Sequence, residues 1–250
     1  MGVYEDILIS RQRNKKILAV LLDPEKTSFT QLPFIAEQLT EGHINYVFVG
    51  GSGYKQHIDD FIIALKKLTT AKVLLFPGDI SQFSPAADAL LFLSVITSKD
   101  AEMLVGQHIK VALNIKQSGI ETIPMGYILV NGGKQSTVEK ISHTQPLDNS
   151  SDIISVAVAA ELLGKQLVYL EAGSGALKPV DINIVHSVRT NIDCPLIVGG
   201  GIKTIERMCD TFEAGADIVV IGNYFEQHIE EISAFGKAVM HFNDLKKLKI

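Results

Sequence analysis

The chain contains no tryptophan and only two cysteines in 250 residues. Cys194 and Cys209 are too few for a disulfide framework or a zinc-ligand set, so a reducing cytosol is the expected compartment. No basic block or stripe occurs, and the net charge is −5. That argues against nucleic acid as the main partner. No apolar run approaches the ~20 residues that span a bilayer. The longest, such as ALLFLSVI at 89–96, are strand-sized, so membrane contact is expected to be peripheral at most. The first residues, MGVYEDILISRQRNKK, are polar and lack the apolar stretch of a signal peptide. A protein handling small molecules is what these absences leave.

Short β-branched or leucine-rich runs alternate with stretches of helical periodicity. The predicted strands are 17–22, 45–50, 72–76, 89–95, 124–130, 166–171, 195–199 and 217–222. Most are apolar throughout rather than alternating, as strands covered on both sides are. Between them, Leu32, Ile35, Ala36 and Leu39 recur at helical spacing, as do Ile58, Phe61, Ile62 and Leu65, and Ile205, Met208, Cys209 and Phe212. Gly42, Gly164 and Gly215 mark helix stops, and residues 224–242 read as a last helix. Eight strand–helix units with short crossovers predict one α/β domain over 1–250, a (β/α)8 TIM barrel, ahead of an open doubly wound sheet.

Two stretches break the rhythm. PGDISQFSPAAD, between Phe76 and Ala89, is too short for a helix with two loops, so the third helix is expected to be missing or shortened. Residues 131–152 are long, polar and glycine- and serine-containing, as functional lids or inserts are.

In such barrels the active site lies at the carboxyl ends of the strands. Three successive ends there are glycine-rich: Glu171-Ala172-Gly173-Ser174-Gly175, Gly199-Gly200-Gly201 and Gly222-Asn223. Without a Cβ, glycine lets backbone N–H groups close on an anion, so three such loops predict a phosphate site. Asp23, directly after the first strand, reads either as a ligand for Mg2+ or as a turn residue before Pro24; spacing does not choose. Ser52, between Gly51 and Gly53, offers a hydroxyl to the same ion or a plain turn. Tyr169 and Glu171 project to one side of their strand, where they would bind a polyol's hydroxyls at the mouth, with Glu171 able to accept a proton. Deeper in the barrel, Tyr169 would be core. The seven histidines (43, 57, 108, 143, 186, 228 and 241) form no metal-ligand spacing, and Cys194 reads as packing.

Taken together, YLEAGSGA (169–176), VGGGIKT (198–204), GN (222–223), LLDPEK (21–26), VGGS (49–52), FPG (76–78) and ADALLFLSV (87–95) resemble the geranylgeranylglyceryl phosphate synthase family over roughly the whole chain. The resemblance implies a Mg2+-dependent prenyltransferase. It would join a polyprenyl diphosphate, expected to be geranylgeranyl, to the 3-hydroxyl of sn-glycerol 1-phosphate and form an ether-lipid precursor. Asp23 and Ser52 would hold Mg2+. Tyr169, Leu170, Glu171, Ala172, Gly173, Ser174 and Gly175, with Gly199, Gly200, Gly222 and Asn223, would bind glycerol 1-phosphate. Glu171 and Asp23 would be catalytic. A homo-oligomer, dimer or hexamer, is also implied. Some members carry lysine before the Leu-Asp-Pro string; here Leu21 and Leu22 precede Asp23, which implies the subgroup without that cation and leaves Lys26 as a diphosphate contact. The prenyl tail would lie where the third helix is missing. Two other readings stand beside this one: a phosphate-binding barrel isomerase or cyclase of amino-acid biosynthesis, and a non-catalytic sensor of a phosphorylated ligand.

Overall fold

A computed structural model describes residues 1–51, 58–79, 82–142 and 144–247. Its eight strands are β1 (Ile17–Leu22), β2 (Tyr46–Val49), β3 (Lys72–Leu75), β4 (Ala89–Val95), β5 (Glu121–Leu129), β6 (Leu167–Glu171), β7 (Leu196–Gly199) and β8 (Ile218–Ile221). Each pairs in parallel with the next, and β8 returns to β1 with Ile17 opposite Ile218, so the sheet closes on itself. Closure decides for the TIM barrel over the open sheet. Strand ends fall within one residue of the sequence reading except at β5, which starts three residues earlier because Glu121 pairs with Ala89.

Alternate residues of each strand face two separate cores, which is why the strands read as apolar throughout. Ala19, Phe48, Leu74, Leu91, Met125 and Tyr169 belong to the barrel interior. Val20, Val47, Val73, Leu90, Val168 and Leu170 face the surrounding helices. Those helices include α2 (Leu32–Glu41), α3 (Ile58–Leu68), α4 (Gln107–Ser118), α6 (Ser150–Leu162), α7 (Ile182–Arg189) and α8 (Ile205–Glu213). The described residues between β3 and β4 hold no α-helix, as the spacing of 76–89 implied. The polar stretch 131–152 contains a short helix α5 (Thr137–Ser142) and the start of α6.

Three features depart from the sequence reading. Residues 3–12 form a helix, α1 (Val3–Gln12), and Val3 and Ile7 enter the barrel interior from its amino-terminal end. The Glu121 carboxylate accepts the Val3 and Tyr4 N–H groups at 2.6 and 2.8 Å and so caps this plug. The last helix is broken: α9 (Asn223–Gln227) and α10 (Ile232–Lys247) flank His228, whose φ of −138° and ψ of 56° are not helical. After α2 the left-handed residue is His43, with φ 51°, while Gly42 stays right-handed.

At the amino-terminal end, Asp217 ties the closing strands together. It is 6% exposed and accepts from the Leu196 N–H at 2.9 Å and from Arg189 at 3.0 Å. Lys16, buried just before β1, places its Nζ 3.7 Å away, and burial depresses the Lys16 pKa. Removing a buried charge strands its partners. Asp217→Ala is therefore expected to cost about 3–5 kcal/mol. Urea unfolding should show a lower midpoint at unchanged slope, and a change within 1 kcal/mol, on the order of a surface pair, would contradict this account.

Candidate active site

A cavity of about 400 Å³ opens at the carboxyl ends of the strands and brings together most of the residues singled out above. Asp23, Glu171, Ser174, Gly175, Gly200, Gly222 and Asn223 all line it. The three glycine loops thus converge on one mouth, with the Asp23 carboxylate on the same rim. Ser52 lies outside the described residues.

The floor is set by two buried side chains of β6. Tyr169 is 1% exposed and packs edge-on against Phe76, with ring centroids 5.5 Å apart. It is both core and cavity floor, so the two readings of this residue merge. Glu171 is 7% exposed and accepts the Gly173 N–H at 2.6 Å and a hydrogen bond from Tyr169. Burial raises the Glu171 pKa, opposed by those two hydrogen bonds. Burial also raises the Tyr169 and Tyr127 hydroxyls well above their ordinary value, with the Glu171 charge adding to it, so both remain protonated donors.

This pair explains the glycines of the next loop. A Cβ on Gly199 would overlap the Tyr169 hydroxyl, and a Cβ on Gly200 would overlap Glu171 Oε1. Gly200 also holds φ at +84°, a conformation that suits glycine. Across the mouth, a Cβ on Gly51 would fall on the Asp23 carboxylate. The remaining residues of the β6 loop serve differently. Leu170 and Ala172 turn into the outer core, away from the cavity; the Ala172 N–H instead bonds the Gly199 carbonyl at 3.0 Å. Gly173 spends its amide on Glu171, and its φ of +103° turns the loop back toward Gly175.

A chain of polar contacts runs around the rim. Ser174 Oγ donates to Asn223 Oδ1 at 2.8 Å, Asn223 Nδ2 to Glu226 at 3.3 Å, and Lys26 Nζ to Glu226 at 3.0 Å. Lys26 Nζ also lies 3.6 Å from Asp23. Glu226 and the exposed Lys203, both lining the cavity, were missed from sequence. Glu226 follows the GN pair by three residues, so one helical turn past a strand end was the available signal.

From this polar mouth the cavity extends along the outer face of β4. Phe83, Leu90 and Phe92 line this arm together with Val111 and Ile115 of α4. The apolar arm thus occupies the side of the barrel left without a third helix. A π-helical turn at Glu102–Gly106 leads into α4, and His108 on its first turn joins Nε2 to the Leu93 carbonyl at 2.7 Å. Away from the cavity, burial and the nearby Glu161 push the Cys194 thiol up to about 12, consistent with packing.

The model of the PcrB family matches residues 10–239 of this chain. The chain belongs to the PcrB family of geranylgeranylglyceryl phosphate synthases. Among relatives of this PcrB-family protein, the geranylgeranylglyceryl phosphate synthase of Zunongwangia profunda is 43% identical over 90% of this chain and 97% of its own. That of Chitinophaga pinensis is 39% identical over 95% of each. The crystal structure of (S)-3-O-geranylgeranylglyceryl phosphate synthase from Thermoplasma acidophilum, in complex with its substrate sn-glycerol-1-phosphate, superposes with a TM-score of 0.90. It is 35% identical and covers 98% of this chain and 99% of its own. The resemblance drawn from YLEAGSGA and VGGGIKT is therefore shown, and barrel and PcrB membership agree.

The glycines of the PcrB site differ in what holds them to glycine. Gly175 has φ +69° and open space where a Cβ would go, whereas Gly200 has φ +84° and Glu171 in that space. Gly175→Ala is expected to cost about 1–2 kcal/mol, the left-handed penalty alone. Gly200→Ala should cost clearly more, because Glu171 must also move. Chemical denaturation of both variants checks the order; equal losses would mean that Glu171 yields freely.

Proposed function

We propose that the protein is a Mg2+-dependent prenyltransferase that joins a polyprenyl diphosphate to the 3-hydroxyl of sn-glycerol 1-phosphate, releasing diphosphate. One observation carries the reading: a single cavity unites a polar, glycine-lined mouth with an apolar arm along β4, which suits an anionic headgroup and a hydrocarbon tail together. The names of its relatives point the same way.

The glycerol phosphate would sit among Ser174, Gly175, Gly200, Gly222 and Asn223, with the charge of Lys203 nearby. The diphosphate would face Asp23 and Lys26, and geranylgeranyl, the tail expected, would pass between Phe92 and Val111. The donor set fits Mg2+: a carboxylate at a strand end, on a rim where substrate phosphate oxygens would supply further ligands. Asp23, with Ser52 named from the sequence, would hold it. When bound, Mg2+ neutralises part of the diphosphate charge and makes it a better leaving group.

Glu171 then orients the acceptor. Buried on the floor, it would take a hydrogen bond from the 3-hydroxyl as the allylic C1–O bond breaks and positive charge spreads over the double bond. The glycerol oxygen attacks C1, the C–O ether bond forms, and the hydroxyl proton passes to Glu171. Burial raises the pKa of that carboxylate and so makes it a stronger acceptor of the proton than an ordinary glutamate. Binding both substrates in one cavity supplies proximity. The alternatives are less well served. An isomerase or cyclase has no use for the apolar arm, and a sensor has none for a buried carboxylate beside the phosphate loops.

The same proposal includes a cytosolic homo-oligomer, dimer or hexamer, supported by the family resemblance and by Leu162 and Leu163, which are 82% and 72% exposed. No described helix is long and apolar enough to cross a membrane.

Incubation with Mg2+, geranylgeranyl diphosphate and sn-glycerol 1-phosphate should yield the ether. Asp23→Ala should lower kcat/KM by about a hundredfold or more, the scale of losing a charge-stabilising group. No product at any prenyl length would refute the reading. The pH profile tests Glu171 separately. Its ionised form is the active one and its pKa is raised, so kcat/KM should fall on acidification at a pH above the ordinary carboxylate range. Glu171→Gln should remove that acidic limb; if the limb persists, another group takes the proton.

A further inference from the structure

The proposed reaction brings two anions to one mouth, and a single side chain touches the groups that would receive each. Glu226, on α9, has its side chain 20% exposed. Its Oε1 accepts from Lys26 Nζ at 3.0 Å, and its Oε2 accepts from Asn223 Nδ2 at 3.3 Å. One carboxylate therefore links the loop after β1, which carries Asp23 and Lys26, to Asn223, the first residue of its own helix after β8.

Each contact constrains its partner. An ionised carboxylate only accepts hydrogen bonds, so Asn223 must turn its NH2 toward Glu226. Its Oδ1 then faces Ser174 Oγ, which donates to it at 2.8 Å. Lysine has a long, freely rotating stem, and without an anchor its amine would sample the solvent. Glu226 keeps the Lys26 amine at the rim, 3.6 Å from Asp23 Oδ2. The geometry is that of a clasp between the two halves of the mouth.

We propose that Glu226 is a positioning residue: one oxygen sets the Asn223 amide for the glycerol phosphate, and the other holds the Lys26 amine over the diphosphate. This rests on the prenyltransferase reading. The opposing view is that the Lys26–Glu226 pair is a surface ion pair of little consequence. The two views differ in what a neutral side chain of the same shape does.

Glu226→Gln and Lys26→Met, singly and together, separate them. The KM for geranylgeranyl diphosphate and kcat are measured with Mg2+. Calorimetry with sn-glycerol 1-phosphate and no metal gives a readout independent of turnover. In Glu226→Gln, the KM is expected to rise about tenfold with kcat within about threefold, the pattern of lost binding. Affinity for glycerol 1-phosphate should fall by about three- to tenfold, the scale of one misdirected hydrogen bond. On the diphosphate KM, the double variant should be no worse than Lys26→Met alone, since Glu226 acts there through Lys26. A folded Glu226→Gln with unchanged KM and unchanged glycerol phosphate affinity would overturn the proposal, and so would additive effects in the double variant. If Glu226→Gln does not fold, Lys26→Met alone must still raise the diphosphate KM, and an unchanged value overturns the clasp. Absence of product from the unaltered protein would instead count against the prenyltransferase reading, while the calorimetric comparison would still decide the Asn223 half.

Discussion

The Glu171 carboxylate occupies the space that a side chain at residue 200 would need, and the Tyr169 hydroxyl occupies the space at residue 199. Much of the mouth follows from that interlock. Glu171 can be buried because the Gly173 amide and Tyr169 satisfy it, and β7 can approach that closely because it ends in glycines. The loops after β6 and β7 are therefore shaped against each other, and the cavity wall they share is largely backbone. A wall of this kind suits a phosphate, because glycine lets main-chain N–H groups approach an anion closely.

The same barrel gains its apolar arm by omission. Leu90 and Phe92 point outward from β4, where a third helix would ordinarily cover them. The neighbouring α4 covers them only from one side, and its inner residues Val111 and Ile115 complete a groove continuous with the mouth. On the proposed reading, headgroup chemistry and tail binding would sit on different faces of the sheet: the first at the strand ends, the second along an outer surface. The opposite end of the barrel is stopped by α1 and by the buried charges around Asp217, which leaves the carboxyl end as the working face.

Electrostatics at the mouth is divided rather than uniform. Asp23 and Glu226 flank Lys26 on one side, and Lys203 stands beside the glycine loops on the other. Two anionic substrates and a cation would need such alternation, because a rim of one sign would repel one of the three. Glu226 joins the sides through hydrogen bonds from Lys26, on the loop after β1, and from Asn223, at the start of its own helix, and the contact with Lys26 is invisible in the linear order of residues 26 and 226.

Apolar runs of strand length and glycine at three successive strand ends were enough to read the barrel, the end at which the glycine loops converge and the missing third helix. Each of those is a local property of spacing or backbone freedom. Period and punctuation also placed Glu171 and Asp23 at the carboxyl ends of their strands and left Tyr169 between mouth and core. They did not reveal that Leu170 and Ala172 turn outward, that residues 3–12 plug the amino-terminal end of the barrel, or that the last helix breaks at His228. Nor could they show the clasp at Glu226 or the groove wall on α4. Those depend on which side chains meet across elements distant in the chain, and only closure of β8 onto β1 brings residues 26 and 226 within hydrogen-bonding reach.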